Sequence, residues 1–269
     1  MAEDRQNEGH GHPAAAHGES TGHPGGAAAS HPGAGPGAAQ SDPAARRPEQ
    51  KVSGYAQFIF YKLDMSWHRL DDRTREENVR QFVAAADGAD GIDVKAYSTV
   101  GFRHDVDFFL WNRTVSLLDL QQFAARLGHT GLGKYLHVQH LYTSLYRESP
   151  YPKLKDHEPP ALSNPKFLFV YPFVKVRPWY YLSMEERKKA MMEHIAVGHR
   201  FEKVSINTSY CFGLGDHEFV VAFDTDYPDE FEALVRRLRE TEASKYTLKD
   251  TPIFMGSRGT VQEVLKLAV

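Results

Sequence analysis

The stretch KFLFVYPFVK (166–175) is almost wholly aromatic or β-branched, the make-up of a buried strand. GYAQFIFYKL (54–63) has the same character more than a hundred residues earlier. Each run opens a similar series of elements, and that repetition decides the fold.

After the first run, Val79, Phe82, Val83 and Ala86 recur at helical spacing. KAYSTVGFR (95–103) and VDFFLW (106–111) read as paired strands. SLLDLQQFAARLG (116–128) reads as a helix with Ser116 as N-cap and Gly128 at its stop. HVQHLYTSLYR (137–147) closes the set as a strand, giving βαββαβ. After the second run, SMEERKKAMMEHIAVGHRF (183–201) is a helix opened by a capping box of Ser183 and Glu186. VSINTSYCFG (204–213) and EFVVAF (218–223) are strands. PDEFEALVRRLRE (228–240) is a helix with Pro228 in its first turn, and TPIFMGS (251–257) is the last strand.

An offset of 111 residues lays Phe58, Ile59 and Phe60 on Phe169, Val170 and Tyr171, and Leu120, Phe123 and Leu127 on Phe231, Leu234 and Leu238. The expectation is an α+β chain of duplicated ferredoxin-like βαββαβ units forming a dimeric α+β barrel within one subunit, with a sheltered space between the two sheets. The boundaries fall at 52–150 for the first unit, 151–165 for a connecting loop and 166–269 for the second unit.

Residues 1–51 are rich in Gly, Ala, Pro and His and contain no Val, Ile, Leu or aromatic residue. Such a segment cannot bury enough apolar surface to offset its ordering entropy, so a disordered tail is expected. Its histidines (His10, His12, His17, His23 and His31) could collect metal loosely or merely be solvated. The tail has no secretory pattern, and no apolar run is long enough to span a bilayer. The formal net charge of −3 argues against a dedicated nucleic-acid binder. The single cysteine, Cys211, excludes an internal disulfide or a thiolate cluster, reads as inert and buried, and fits a reducing cytoplasm.

The overlay places His194 where the first helix has Val83. An imidazole on the face that packs against the sheet needs a partner, either a hydrogen-bonding group or a metal at its ring nitrogen. Tyr171 and Lys175 stand at alternating positions of one strand, and Trp179 and Tyr180 follow. A large flat ligand carrying carboxylates would use all of them, with iron on the imidazole. The plainer reading is an ordinary core histidine, aromatic packing and a solvated lysine.

At these residues the sequence resembles the chlorite dismutase family of haem proteins, and within it the branch that decarboxylates coproheme. The pieces are Tyr171-Pro172-Phe173-Val174-Lys175, Trp179, Glu193-His194, and LRETEASKY (238–246) followed by TPIFMGS. The resemblance implies paired ferredoxin-like domains, a homo-oligomeric ring (commonly a pentamer), and Fe-coproporphyrin III as both cofactor and substrate. It implies hydrogen-peroxide-dependent oxidative decarboxylation of two propionates to give haem b, through a tyrosyl radical. His194 would be the iron ligand, Glu242 its hydrogen-bonding partner, Tyr171 the radical site, Lys175 a basic group near the propionates, and Trp179 a pocket indole. A transient contact with the iron-inserting chelatase is a further implication.

Two positions depart from the family pattern. Where chlorite-degrading members carry an arginine and many decarboxylases a glutamine, this chain has Ile206 or Asn207, and SINTSY contains no arginine. His157, in the loop before the TyrPro strand, is the candidate distal base, or is simply exposed. A chlorite-degrading or weakly peroxidatic haem enzyme and a non-enzymatic haem carrier remain the alternatives.

Overall fold

A computed structural model describes residues 51–151 and 162–269. The readings made for the tail and for most of the 151–165 connection lie outside the described residues.

The first half contains β1 (Val52–Leu63), α1 (Asp72–Asp87), β2 (Asp93–Ser98), β3 (Phe108–Thr114), α2 (Leu117–Gly128) and β4 (Leu136–Arg147). The second contains β5 (Phe167–Lys175), a single turn α3 (Pro178–Tyr181), α4 (Met184–Gly198), β6 (Val204–Tyr210), β7 (Phe219–Thr225), α5 (Pro228–Leu238), β8 (Thr247–Lys249), β9 (Phe254–Gly259) and α6 (Val261–Ala268). The helix starts follow local chemistry. Ser116 Oγ accepts from Asp119 N at the start of α2, and Ser183 and Glu186 form the full capping box of α4.

Within the first half the strand order is β4-β1-β3-β2, and within the second it is β6-β7-β5-β9. Both are the ferredoxin-like order, and every pairing between these strands is antiparallel. β2 joins β9 with Tyr97 opposite Arg258, and β4 joins β6 at Leu145 opposite Tyr210. The eight strands therefore close on themselves, while β8 pairs with the end of β5. Closure removes the free edges that would otherwise recruit another strand.

Because side chains alternate across each strand, the barrel has two apolar environments. Inside lie Phe58, Phe60, Tyr97, Phe109, Trp111, Leu168, Val170, Ala222 and Phe254. The space between the sheets is packed with these side chains among the described residues. Gly256 shows how full it is, since a Cβ there would stand 2.6 Å from Phe109 Cε1 and 2.8 Å from Tyr97 Cβ. Outside, Ile59, Phe82, Phe108, Leu110, Phe123 and Leu127 build a core under α1 and α2. Phe169, Tyr171, Val204, Phe223, Phe231 and Leu234 build the matching core of the second half.

Two elements differ from the sequence reading. The run 95–103 stops being a strand at Ser98, because the Thr99 carbonyl accepts the amides of Phe102 and Arg103 in a turn where Gly101 has φ 81°. Beyond β9, α6 is a sixth helix, opened by a capping box of Thr260 and Glu263. It carries Val261, Val264 and Leu265 into the core of the first half.

Candidate cofactor site

Alternation along β5 sends Phe169, Tyr171 and Phe173 to the outer, helix-covered face, and Leu168 and Val170 into the barrel. Tyr171 is buried and stacks on Phe223, with ring centroids 5.8 Å apart and planes 16° from parallel. Burial holds its phenol well above the ordinary tyrosine range, so it stays protonated.

The helix over this face is set differently from its counterpart. In the first half, α1 buries Phe82 completely against the sheet. In the second, α4 fully buries only Ala190 and Gly198, while Met191, Met192, Ile195 and Val197 are only partly covered. On the sheet face below, Ile206 is 45% exposed. Apolar side chains are thus left partly exposed on both α4 and the sheet face, a setting that suits a flat apolar ligand.

His194 is on α4. Its Nδ1 lies 3.1 Å from Thr241 Oγ1, and the Thr241 hydroxyl lies 2.7 Å from the carbonyl oxygen of Leu238. A hydroxyl has one proton. Thr241 gives it to Leu238 and must accept from His194, so the imidazole carries its proton on Nδ1 and a lone pair on Nε2. Burial, aided by the charge of Lys175, lowers the His194 pKa to about 4, which keeps the ring neutral at physiological pH. A neutral imidazole whose other nitrogen is held by a hydrogen bond is the form that ligates a metal. Among the described residues no three His, Cys, Asp or Glu side chains converge on a metal position. With only these residues around it, a metal at Nε2 would bring its other ligands with it, as an iron porphyrin does.

Lys175, at the end of β5, is buried. Its Nζ donates to the carbonyl of Ala243 at 2.8 Å and sits 4.6 Å over the Trp179 ring. Burial lowers its pKa to about 8, against the opposing pull of Glu218. Trp179 packs with Ala190 and Ala243, which ties β5, α4 and the turn Glu242–Tyr246 together.

Two other expected site residues fall elsewhere. Glu242 does not meet His194. Its carboxylate lies 2.6 Å from Lys245 Nζ and is half exposed, while its amide donates to Glu193. Thr241, one residue earlier, makes the hydrogen bond to His194 that the resemblance gave to Glu242. Asn207 is opposite Ala222 in β7 and donates to Asp224 Oδ2 at 3.1 Å on the inner face of the sheet. It therefore stands across the sheet from Tyr171, and Ile206, opposite Phe223, is the residue that shares Tyr171's face. His157 lies outside the described residues. Sequence reasoning also missed Glu218, whose carboxylate accepts from the Lys175 amide at 2.8 Å and from the Tyr180 hydroxyl.

The profile of the chlorite dismutase family matches residues 72–259. A protein of Mycolicibacterium smegmatis named coproheme decarboxylase is 31% identical over 173 residues, covering 63% of this chain and 74% of that one. Another of that name from Staphylococcus carnosus is 26% identical over 215 residues, covering 71% and 85%. In structure, the chlorite dismutase of Candidatus Nitrospira defluvii in complex with imidazole superposes with a TM-score of 0.76 at 23% identity, over 82% of this chain and 97% of that one. At that identity the likeness concerns the fold alone. No helix among the described residues is long and apolar enough to cross a membrane.

Proposed function

Because the chain belongs to the chlorite dismutase family, we propose that it is a coproheme decarboxylase, converting Fe-coproporphyrin III to haem b with hydrogen peroxide as oxidant. The observation that carries the reading is the His194–Thr241 contact, which leaves Nε2 of a neutral ring without a hydrogen bond among the described residues. The names of the two bacterial relatives support the choice of reaction.

When bound, the iron porphyrin would supply the redox chemistry that oxidises a nearby residue at the expense of peroxide. His194 would hold the iron through Nε2, with Thr241 fixing its tautomer and tilt. Lys175 would meet a propionate carboxylate, a countercharge that keeps its ammonium protonated in a buried place. Trp179 would line the ring edge. Tyr171, kept as a neutral phenol by burial, would lose an electron and its proton together. The radical would then take a hydrogen atom from the β-carbon of a propionate. Loss of a second electron and of carbon dioxide leaves a vinyl group, and one peroxide takes up both electrons as it becomes water. Two rounds complete the conversion. The family resemblance extends the proposal to a homo-oligomeric ring working in the cytoplasm and to a transient contact with the chelatase that supplies the iron porphyrin.

Chlorite degradation fits less well. Of the two residues that could stand at the arginine position, the one on Tyr171's face is the aliphatic Ile206, which cannot hold an anion as a guanidinium does. The test is direct. The protein is loaded with coproheme III, peroxide is titrated in, and product mass is followed. Two successive losses of carbon dioxide support the proposal. Oxygen release from chlorite, or tight binding without conversion, would replace it.

A further inference from the structure

Each half of the chain fastens the end of its leading strand with an acid that stands just before β3 or β7. In the first half, Asp107 Oδ2 accepts from the Leu63 amide at 2.8 Å, at the end of β1, and its own amide donates to the Tyr61 carbonyl. In the second, Glu218 Oε2 accepts from the Lys175 amide at 2.8 Å, at the end of β5, and its own amide donates to the Phe173 carbonyl. The correspondence continues beyond the strands. The amide of Asp64, next after Leu63, donates to the Tyr135 carbonyl, and the amide of Val176, next after Lys175, donates to the Tyr246 carbonyl. Trp67 then packs on the Tyr135 ring with centroids 5.5 Å apart, as Trp179 does on Tyr246 at 5.2 Å.

The two copies differ in what the acid holds. Leu63 is an apolar member of the first core, whereas Lys175 in its place sends Nζ to the Ala243 carbonyl and over the Trp179 ring. Asp107 takes its second partner from Lys62, a partly exposed side chain of β1. Glu218, longer by one methylene, takes its second partner from the Tyr180 hydroxyl, in the turn α3 that also carries Trp179. The same oxygen, Oε2, accepts both bonds, so one atom joins the last residue of β5 to α3. A hydrogen bond to an ionised acceptor is roughly twice as strong as a neutral one, which makes this a stiff link. It spans Lys175 and Trp179, the residues placed at the porphyrin's carboxylates and ring edge.

We propose that Glu218 is a positioning residue for the cofactor site: its two hydrogen bonds hold Lys175 and the Trp179–Tyr180 turn in the arrangement that receives an iron porphyrin. The proposal rests on the reading of the site given above. Glu218 acts through its neighbours and needs no contact with the ligand. A site that keeps its binding arrangement for only a fraction of the time binds more weakly by that fraction. Asp107 is the built-in comparison, since it makes the same strand-end fastening in the half whose matching position holds Leu63 instead of a lysine.

The test compares variants of the full chain by coproheme titration at pH 6.5, where the Lys175 ammonium is charged, and by urea unfolding. Glu218→Ala should weaken coproheme binding roughly tenfold or more, the worth of a hydrogen bond to a charged group. Tyr180→Phe breaks one of the two bonds, keeps the strand-end one and should weaken binding by less. Glu218→Gln should restore most of the affinity, because its amide oxygen can accept the same two protons. Asp107→Ala should lower the urea midpoint and leave the affinity at the wild-type value. A merely structural fastening would make the two alanine variants alike. Equal losses of affinity in both, no loss in Glu218→Ala, or a glutamine variant no better than alanine would each overturn the proposal. If Glu218→Ala does not fold, Tyr180→Phe decides, and an unchanged affinity there overturns it. A wild-type protein that takes up no coproheme would remove the reading of the site together with this proposal, whereas wild-type uptake with an unaffected Glu218→Ala removes this proposal alone.

Discussion

Nδ1 of His194 donates to Oγ1 of Thr241 across 3.1 Å, and that contact fixes which nitrogen of the imidazole is open to a metal. Substituting Thr241→Val keeps the shape and removes the acceptor. It should weaken iron-porphyrin binding about 10–100-fold, as loss of a partner behind a ligating histidine does, and shift the ferric spectrum. Glu242→Gln should leave both unchanged, since the Glu242 carboxylate is occupied with Lys245. A larger effect at Glu242 than at Thr241 in a binding titration would reverse the assignment.

Tyr171→Phe separates binding from chemistry. No hydrogen bond engages the Tyr171 hydroxyl among the described residues, and its ring stacks on Phe223 as a phenyl ring would. The variant should fold, bind coproheme and lose nearly all haem b formation. Normal turnover, measured by product mass, would remove the radical role.

How much of this was legible beforehand depends on what each signal rests on. The paired halves were readable because alternation and helical spacing are local patterns written twice, and the capping boxes are local too. The helix α6 carried the same kind of signal, Thr260 followed by Glu263 before Val264 and Leu265, and could have been found. The site was only half legible. Tyr171, Lys175 and His194 stand out as residue types in the wrong place for a simple core. Which neighbour holds the His194 ring is a matter of backbone path through the turn after α5, where Thr241 and Glu242 are adjacent in the chain. The facing of Ile206 and Asn207 depends on strand register, since a slip of one residue exchanges the two sides of a sheet.

The pH dependence of porphyrin binding should report Lys175. Its pKa is lowered to about 8, so the ammonium is charged below that pH and loses its charge above it. Affinity of the apoprotein for coproheme should therefore fall as pH rises through about 8, and Lys175→Met should remove that limb while weakening binding at neutral pH. An identical pH profile in the variant would place the propionates elsewhere.

Acid should act through His194. Its pKa of about 4 in the folded protein lies below the ordinary value of 6.5, so between these limits the unfolded chain binds more protons. Stability of the apoprotein from this group is fully present above about pH 6.5 and is lost as pH falls toward 4. One proton taken up on unfolding makes that loss at most about 1.4 kcal/mol for each pH step of one. His194→Gln should flatten that part of the stability curve in urea unfolding at pH 4.5 and pH 7.

Gly256→Ala tests whether the barrel is filled. A methyl group there would meet Phe109 Cε1 at 2.6 Å and Tyr97 Cβ at 2.8 Å, both from β-strands of the first half that cannot swing aside. Overpacking of this kind costs about 1–3 kcal/mol, read as a lower midpoint of urea unfolding with an unchanged slope. Because β9 also pairs with β5, which carries Tyr171, the same strain should reach the cofactor side only as a loss of stability. The spectrum of bound coproheme should match that of the wild type. A barrel with a real central cavity would accept the methyl group without cost, and an unchanged midpoint would show it.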